Sequence, residues 1–341
     1  MTDWFDADAR VISAGYQPAC LIDLALCRGL DSHRLMRGSG LFYEDLLLPD
    51  AVISARQYLK LVDNARQLLG ADDSSFLLGQ RLLPGHFGPC SNLLLLADSG
   101  LQALQDLVQF RAILCPLLSP RLVLDEHHAY LYWVDAVGLG RNRQFLFEAS
   151  MTAVTALLRT LMGASLPWEY RLAWGEPRHV EQYWVHLGER LRFDAPVTCM
   201  RLPRELLVTA PQSASPMLAR ITRQQAELAL AAMPGQGTLS EVVFAALYQQ
   251  IRKRVGLEQL AEQLGMSPAT FKRRLQRDGA GFQELLDRAH TQLAMELYQG
   301  RGYSHEQVAA SLQISDRTNF RRLLKRLTGK SPDSLRVWLE S

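Results

Sequence analysis

Residues 257–276 read LEQLAEQLGMSPATFKRRLQ, and this stretch decides the fold of the last quarter of the chain. The apolar residues of its first half recur at the spacing of one helix face, namely Leu257, Leu260, Ala261 and Leu264. Gly265 suits the left-handed position just past a helix end. Ser267 and Pro268 are typical of an N-cap and a first helical residue. The stretch therefore predicts two short helices joined by a tight turn.

The second of these helices has one apolar and one polar face. Phe271 and Leu275 lie four residues apart, so we expect them to face the protein core. The residues left on the outer side are Ala269, Thr270, Lys272, Arg273 and Gln276. A short helix with a basic outer face has the dimensions and the charge to enter a DNA major groove.

Residues 306–325, EQVAASLQISDRTNFRRLLK, repeat the scheme. The predicted core stripe of the second helix is Phe320, Leu323, Leu324 and Leu327. Its outward candidates are Arg317, Thr318, Arg321 and Arg322, with Lys325 and Arg326 further along toward the phosphates. The turn has Gln313 where the first unit has Gly265, so we expect a modest backbone cost there. One such unit could be an ordinary helical hairpin, but two basic ones favour DNA binding.

An amphipathic run over residues 282–297 joins the two units and is followed by Gly300 and Gly302. It predicts a single linker helix that fixes the distance between the two outward faces. The C-terminal part is therefore expected to be all-α, with two helix-turn-helix units joined by this linker helix.

Residues 239–338 resemble the DNA-binding domain of AraC/XylS-type transcription regulators. The residues that carry the resemblance are Ala261, Leu264-Gly265-Met266-Ser267-Pro268, Arg273, Phe282, Leu285, Arg288, Leu293-Ala294, Val308-Ala309, Leu312, Ser315-Asp316, Phe320 and Gly329-Lys330-Ser331-Pro332. The chain departs from the family pattern at Gln313-Ile314, where Gly-Phe is usual, and at Leu324, where an aromatic residue is usual. The resemblance implies a sequence-specific regulator that binds double-stranded DNA.

Charge is distributed unevenly along the chain. The whole sequence has 37 Lys and Arg against 35 Asp and Glu, yet residues 250–341 contain 16 basic and 10 acidic residues. The remaining residues contain 21 basic and 25 acidic ones. This asymmetry indicates a phosphate-contacting module attached to a mildly acidic module that does not contact phosphate.

The N-terminal part mixes helix and strand patterns. The predicted helices cover residues 18–30, 54–69, 100–114 and 143–162. The predicted strands cover residues 121–126, 129–134, 168–174 and 197–202, the first two forming a hairpin around His127-His128. The order predicts an α+β domain with a small antiparallel sheet.

The same region resembles the N-terminal arabinose-binding-like domain of a subgroup of AraC-type regulators. The residues that carry this resemblance are Tyr183, Phe193-Asp194-Ala195-Pro196, Leu202-Pro203 and Leu206-Leu207. It implies a domain that binds a small-molecule effector and forms a homodimer, with RNA polymerase as a further possible partner. We expect residues 1–210 to be this domain, 211–238 a linker and connecting helix, and 239–341 the DNA-binding domain. The connecting helix over residues 217–232 could contribute to dimer contacts or merely connect.

Enzymatic alternatives have little support in the sequence. His127-His128 lies at a turn, and His179 and His186 are spaced more widely than two ligands on one helix face, so no metal site is expected. The cysteines, expected to be small buried residues, are Cys20, Cys27, Cys90, Cys115 and Cys199. Their scatter supports neither disulfides nor zinc. We expect no cofactor and no catalytic residue. An enzymatic or alkyl-transfer N-terminal domain stays open as the alternative, and a stoichiometric methyl transfer or bound zinc in intact-mass measurements would support it.

Two further expectations concern location and the apolar interior. No run of about 18 uninterrupted apolar residues is present, and Met1–Asp6 lacks the basic start of an export signal, so the sequence predicts a cytoplasmic protein. The aromatic residues that could line an effector cavity are expected to be plain core, namely Phe42, Tyr43, Phe87, Phe110, Tyr132 and Trp133.

Overall fold

The computed structural model describes residues 4–211, 214–235, 237–253 and 255–340. Met1–Asp3, which belong to the stretch considered as an export signal, lie outside the described residues, as do Gln212, Ser213 and Gln236 of the segment expected to connect the two domains.

The N-terminal part begins with helices and one small strand pair. Its first elements are β1 (Arg10–Ser13), α1 (Gln17–Cys27), α2 (Ser32–Met36), α3 (Tyr43–Leu46), β2 (Val52–Ser54), α4 (Ala55–Leu69), α5 (Ser74–Leu82), α6 (Pro89–Leu95), α7 (Gly100–Gln109) and α8 (Arg111–Leu114). The elements that follow are β3 (Leu118–Leu124), β4 (His128–Asp135), α9 (Arg143–Met162), β5 (Glu169–Arg171), α10 (Val180–His186), β6 (Leu191–Arg192) and β7 (Cys199–Pro203).

Helices joined by turns and short loops make up the C-terminal part of the chain that the structure describes. Its elements are α11 (Pro216–Ala231), α12 (Leu239–Gln249), α13 (Leu257–Gln263), α14 (Pro268–Arg277), α15 (Phe282–Arg301), α16 (His305–Ser311), α17 (Arg317–Thr328) and α18 (Pro332–Glu340). The predicted fold class, α+β followed by all-α with two helix-turn-helix units and a linker helix, is confirmed.

The main sheet has the order β3-β4-β7-β5-β6. Its pairs are antiparallel except for the short parallel pair β5–β6, which the sequence did not predict because β6 has two residues. The helix α9 lies in the core of the domain. By length and composition Gly140–Met162 could cross a membrane, but 72% of its most apolar window is buried, as expected of a core helix.

Some expectations for the N-terminal part are wrong in detail. The helix expected over residues 100–114 is divided at Phe110, whose ring is fully buried between α7 and α8. The strand expected over 168–174 is reduced to the three residues of β5. Cys27 is exposed, and Phe42 is 70% exposed rather than in the core. Apolar character alone does not reveal these two positions because solvent exposure depends on the neighbouring elements.

The apolar interior forms two large clusters. One lies within the N-terminal part, around α4, α5 and α9. The other is built by α12 to α18, and it also includes Trp4 from the start of the chain and Val134 from β4. The two halves of the chain therefore share an interface.

The connecting helix α11 lies against the N-terminal part. Arg223 on α11 donates two hydrogen bonds to the carboxylate of Asp106 on α7, at 2.7 and 2.9 Å. The Asp106 side chain is 1% exposed, so this ion pair is anchored in the interior. The opposite side of α11 exposes apolar side chains, namely Met217, Leu218, Ile221 and Leu228.

Candidate DNA-binding surface

The first helix-turn-helix unit consists of α13 and α14. Gly265 takes the left-handed conformation with φ +66°, and the Met266 N–H donates to the Ala261 carbonyl at 2.9 Å. The Ser267 hydroxyl then accepts a hydrogen bond from the Thr270 N–H at 3.3 Å and caps α14. The turn predicted from Gly265, Ser267 and Pro268 is therefore formed.

The second unit, α16 and α17, has the same turn although the glycine is absent. Gln313 itself takes the left-handed conformation, with φ +59°. The Ile314 N–H donates to the Ala309 carbonyl at 2.9 Å, which repeats the bond from Met266 to Ala261. Asp316 caps α17 by accepting from the Thr318 and Asn319 N–H groups. The missing glycine thus leaves the turn geometry intact and places a conformational cost on Gln313.

The outer faces of α14 and α17, which we call the reading faces, present the candidate residues to solvent. Those that are exposed are Ala269, Lys272, Arg273, Gln276, Arg317, Thr318, Arg321, Arg322 and Lys325, while Thr270 is half-buried beside its cap. The inner faces are buried through Phe271, Leu275, Phe320 and Leu324. The apolar stripe on each helix therefore fixes which side faces solvent.

The basic side chains of the two helices fall into two groups. The members of the first group make no side-chain hydrogen bond or ion pair with any residue that the structure describes, namely Lys272, Arg273, Arg317, Arg321, Arg322 and Lys325. All six are exposed. These cations retain their full capacity to contact an external anion.

The second group is engaged within the protein. Arg326 forms an ion pair with Asp287 of α15, with one hydrogen bond at 3.0 Å. This pairing corrects the expectation that Arg326 follows the phosphates, and its partner stands 39 positions earlier in the sequence. Arg274 lies over the Trp4 ring at 5.2 Å, and Arg277 forms an ion pair with Asp8 at 2.7 Å.

The linker helix α15 is one unbroken helix of 20 residues, four longer than expected. It runs through Gly300 and ends at Gly302, which has φ +59°. Such a helix is about 30 Å long, which approaches one turn of B-form DNA. It contacts α12, α16, α17 and α18, and the Phe282 ring at its start packs against Phe271 of α14, so it touches both helix-turn-helix units.

The end of α14 and the start of α12 are attached to the N-terminal part. The Ala7 N–H donates to the Asp278 carboxylate at 3.2 Å, and burial raises the pKa of Asp278 to about 6. Gly279 and Gly138 lie so close that a side chain on Gly138 would come within 2.7 Å of the Gly279 Cα.

Glu241 on α12 accepts hydrogen bonds from Arg111 and from Ser119, the latter at 2.8 Å. The sequence patterns gave no signal for these contacts between distant segments.

The residues considered for catalysis are dispersed. His127 lies on the β3–β4 turn, while His179 and His186 lie at opposite ends of α10. The His186 ring stacks on Phe76 with 5.0 Å between ring centroids. Residues 4–211, 214–235, 237–253 and 255–340 contain no group of three or more His, Cys, Asp or Glu that could hold a metal ion.

Comparisons with known proteins cover almost the whole chain. A family model described as the arabinose-binding domain of AraC transcription regulator, N-terminal, matches residues 29–210, and a helix-turn-helix domain model matches residues 260–337. The ornithine utilization regulator of Pseudomonas aeruginosa (strain ATCC 15692) is 27% identical over 330 residues, which cover 96% of this chain and 97% of that protein.

Two solved structures are similar in part. The crystal structure of transcriptional regulator CdpR from Pseudomonas aeruginosa is 20% identical, with a TM-score of 0.45 and coverage of 94% of this chain and 98% of that one. A DNA-binding transcriptional dual regulator from Escherichia coli K-12 is 23% identical, with a TM-score of 0.27, over 29% of this chain and 88% of that one.

Proposed function

Because the chain belongs to the AraC family of transcription regulators, we propose that its reading faces enter two successive major grooves on one side of double-stranded DNA. The observation that carries this proposal is the set of six unpaired, exposed cations on α14 and α17. Other cations of the same helices are held in internal contacts. Two basic helices joined by a helical linker of about 30 Å fit two grooves about one turn apart.

Individual roles follow from side-chain chemistry. Arg273, Arg321 and Arg322 are suited to the paired acceptors of guanine, while Lys272 and Lys325 are suited to phosphates. Arg317 stands at the start of α17 and also carries a guanidinium. The uncharged candidates for base edges or phosphates are Ala269, Thr270, Gln276 and Thr318.

The roles are tested with two alanine variants on an operator selected from random sequence by the wild-type protein. Arg273→Ala should weaken operator binding by about 1–3 kcal/mol and relax one base preference. Lys325→Ala should weaken binding to all sequences and flatten the dependence of affinity on salt by about one unit of slope. Arg252→Ala is a control that removes one exposed cation outside both units. Unchanged operator binding by both test variants in gel-shift titrations would refute the groove assignment.

The N-terminal part gives the regulator its response to a small molecule. We propose the division into an effector-binding domain at 1–210, a connecting segment at 211–238 and a DNA-binding domain at 239–341, which the two apolar clusters support. A relative of almost the same length is named an ornithine utilization regulator, so ornithine is the first effector to test. The relative named as a utilization regulator favours a cytoplasmic protein that works with RNA polymerase rather than an enzyme.

We also propose that the protein acts as a homodimer, because one pair of reading helices specifies a short site and a second copy multiplies specificity. Sedimentation velocity at micromolar concentration, with and without operator, measures the oligomeric state. A monomer under both conditions would contradict this part of the proposal.

A further inference from the structure

We infer that the exposed side of the connecting helix α11 is the surface through which two copies of the chain associate, with the two α11 helices packed antiparallel. This inference rests on the proposed function, which includes a homodimer. It assigns the surface, the direction and the register of that association.

The helix α11 has an inner face that is held by the N-terminal part. Ala226 is fully buried, and Ala219 and Leu230 pack against the same apolar cluster. Arg223 lies on this face as well and forms its ion pair with Asp106. These contacts fix the rotation of the helix about its own axis. The side of α11 that faces away from the N-terminal part is therefore defined.

The outer face of α11 carries large apolar side chains in a regular order. Met217, Ile221 and Leu228 are 77%, 45% and 71% exposed. With the exposed residues Gln224 and Ala231 they recur at alternating spacings of four and three positions, and we call these five residues the α11 seam. This is the spacing of the a and d positions in a coiled coil, which face another helix. The pattern indicates an interface with a helix rather than scattered surface residues.

The charges beside the α11 seam favour a second, antiparallel copy as the partner. Arg220 and Glu227 each precede a seam residue, at the flanking position called g in coiled coils. Both are exposed, and neither side chain forms an ion pair or hydrogen bond with a residue that the structure describes. In an antiparallel pair, Arg220 of one copy lies opposite Glu227 of the second copy, and the twofold axis repeats the contact. A parallel pair would place each charge level with its own copy, so the opposite charges would not meet.

The same charge pairs fix the register of the two helices. The twofold axis then passes near the middle of α11, and Met217 of one copy packs against Leu228 of the other. Ile221 packs against Gln224 in the next layer, and a polar residue within an apolar seam favours one register over the alternatives. At a rise of about 1.5 Å per residue, the C-terminal ends of the two helices lie about 25 Å apart along the pair. The two DNA-binding parts therefore follow from opposite ends of the α11 pair.

A second set of exposed apolar residues is less suited to a symmetric contact. It lies around α3 and consists of Phe42, Leu47, Leu48 and Val52. Residues 42–52 also contain Glu44, Asp45 and Asp50 but no lysine or arginine. A twofold contact there would bring the carboxylates of two copies together, whereas the outer face of α11 has one charge of each sign beside its seam. The charges thus favour the α11 seam as the contact between copies.

Sedimentation velocity of the full-length protein over a range of micromolar concentrations tests the surface. Leu228→Glu places a carboxylate in the α11 seam, and Leu48→Glu is the matched control at an exposed leucine outside it. We expect the wild type and Leu48→Glu to be dimers. Leu228→Glu should dissociate at least about tenfold more readily, because each copy would bury an unpaired charge in the interface. Far-UV circular dichroism checks that each variant is folded.

Charge reversal tests the direction of pairing and does not depend on a change within the seam. Arg220→Glu and Glu227→Arg should each weaken the dimer by about two- to thirtyfold, because the twofold axis repeats the loss of a modest exposed ion pair. The combined variant restores both pairs and should associate within about twofold of the wild type. A combined variant that associates no more tightly than the single variants would overturn the antiparallel arrangement.

The outcomes separate the surface from the homodimer itself. A wild-type dimer that Leu228→Glu leaves unchanged, or that Leu48→Glu dissociates, refutes the α11 seam and leaves the homodimer standing. If Leu228→Glu loses its helical spectrum, the charge-reversal variants decide. A wild type that is monomeric with and without operator refutes the homodimer and the α11 seam together, while the reading faces keep their separate test by gel shift.

Discussion

Replacing Gln313 by glycine should stabilise the second helix-turn-helix unit. Gln313 has φ +59°, a conformation that costs a residue with a Cβ about 1–2 kcal/mol. Glycine removes this strain but increases the entropy of the unfolded chain, which offsets about 0.4–1 kcal/mol. The net expectation is a gain of about 0.5–1 kcal/mol in the free energy of unfolding.

The matched controls separate strain from a general effect of glycine. Gln263→Gly makes the same substitution at the end of α13, where φ is not positive, and should lower stability by up to about 1 kcal/mol. Gly265→Gln introduces the strain into the first unit, where φ is +66°, and should lower stability by an amount similar to the gain at Gln313.

Two assays measure the effect. Guanidinium unfolding followed by circular dichroism gives the change in midpoint, and hydrogen exchange measured on peptides from residues 305–328 reports the local stability of α16 and α17. Operator affinity should stay within about twofold, because no cation of the reading faces changes. The reasoning is refuted if Gln313→Gly loses stability as Gln263→Gly does, or if Gly265→Gln has no cost.

Three further perturbations test the contacts that position the reading helices. Arg223→Ala should lower the free energy of unfolding by about 3 kcal/mol, because it leaves the buried Asp106 carboxylate without its cation. Adding Asp106→Asn should recover part of this loss. No recovery in the double variant would contradict a charge effect. Burial raises the folded-state pKa of Asp278 to about 6, so its protonated form contributes stability at pH 4 that is lost as the pH rises through 6. Urea titrations should therefore show that the wild type loses free energy of unfolding relative to Asp278→Asn as the pH rises from 5 to 7.5. Parallel pH curves for the two proteins would disprove this. Asp316→Ala removes the acceptor for two backbone N–H groups at the start of α17 and should cost about 1 kcal/mol in thermal unfolding, while Asp316→Asn should cost less; equal losses would contradict the capping role.

The sequence predicts most reliably what depends on local pattern. The bounds expected for α9, residues 143–162, coincide with the observed helix, because Asn142 and Gly163 flank a largely apolar stretch. The turns at Gly265 and Gln313 were located from the same kind of signal. The outward residues of α14 and α17 were also placed on exposed faces, since Phe271 and Phe320 fix which side is buried.

Contacts between distant segments could not be predicted in this way. Periodicity shows that a face is buried, but it does not show which neighbour covers it. Arg326 was expected to reach outward with Lys325, yet it pairs with Asp287 of another helix. The two residues of β6 carry too little pattern to be recognised. The hydrogen bonds from Ala7 to Asp278 and from Ser119 to Glu241 depend on how two folded parts meet, which no single stretch of sequence encodes.

The position of Trp4 has a consequence for biosynthesis. Trp4 belongs to the apolar cluster of the DNA-binding part, with Leu239 and Phe244, and the Phe5 N–H next to it donates to the Gly237 carbonyl at 3.0 Å. The ribosome makes Trp4 more than 230 residues before these partners. At about 5–20 residues per second, its indole ring waits roughly 10–50 s for the surface that buries it. Trp4 and Phe5 therefore reach these final contacts only after residues 237–244 have been translated.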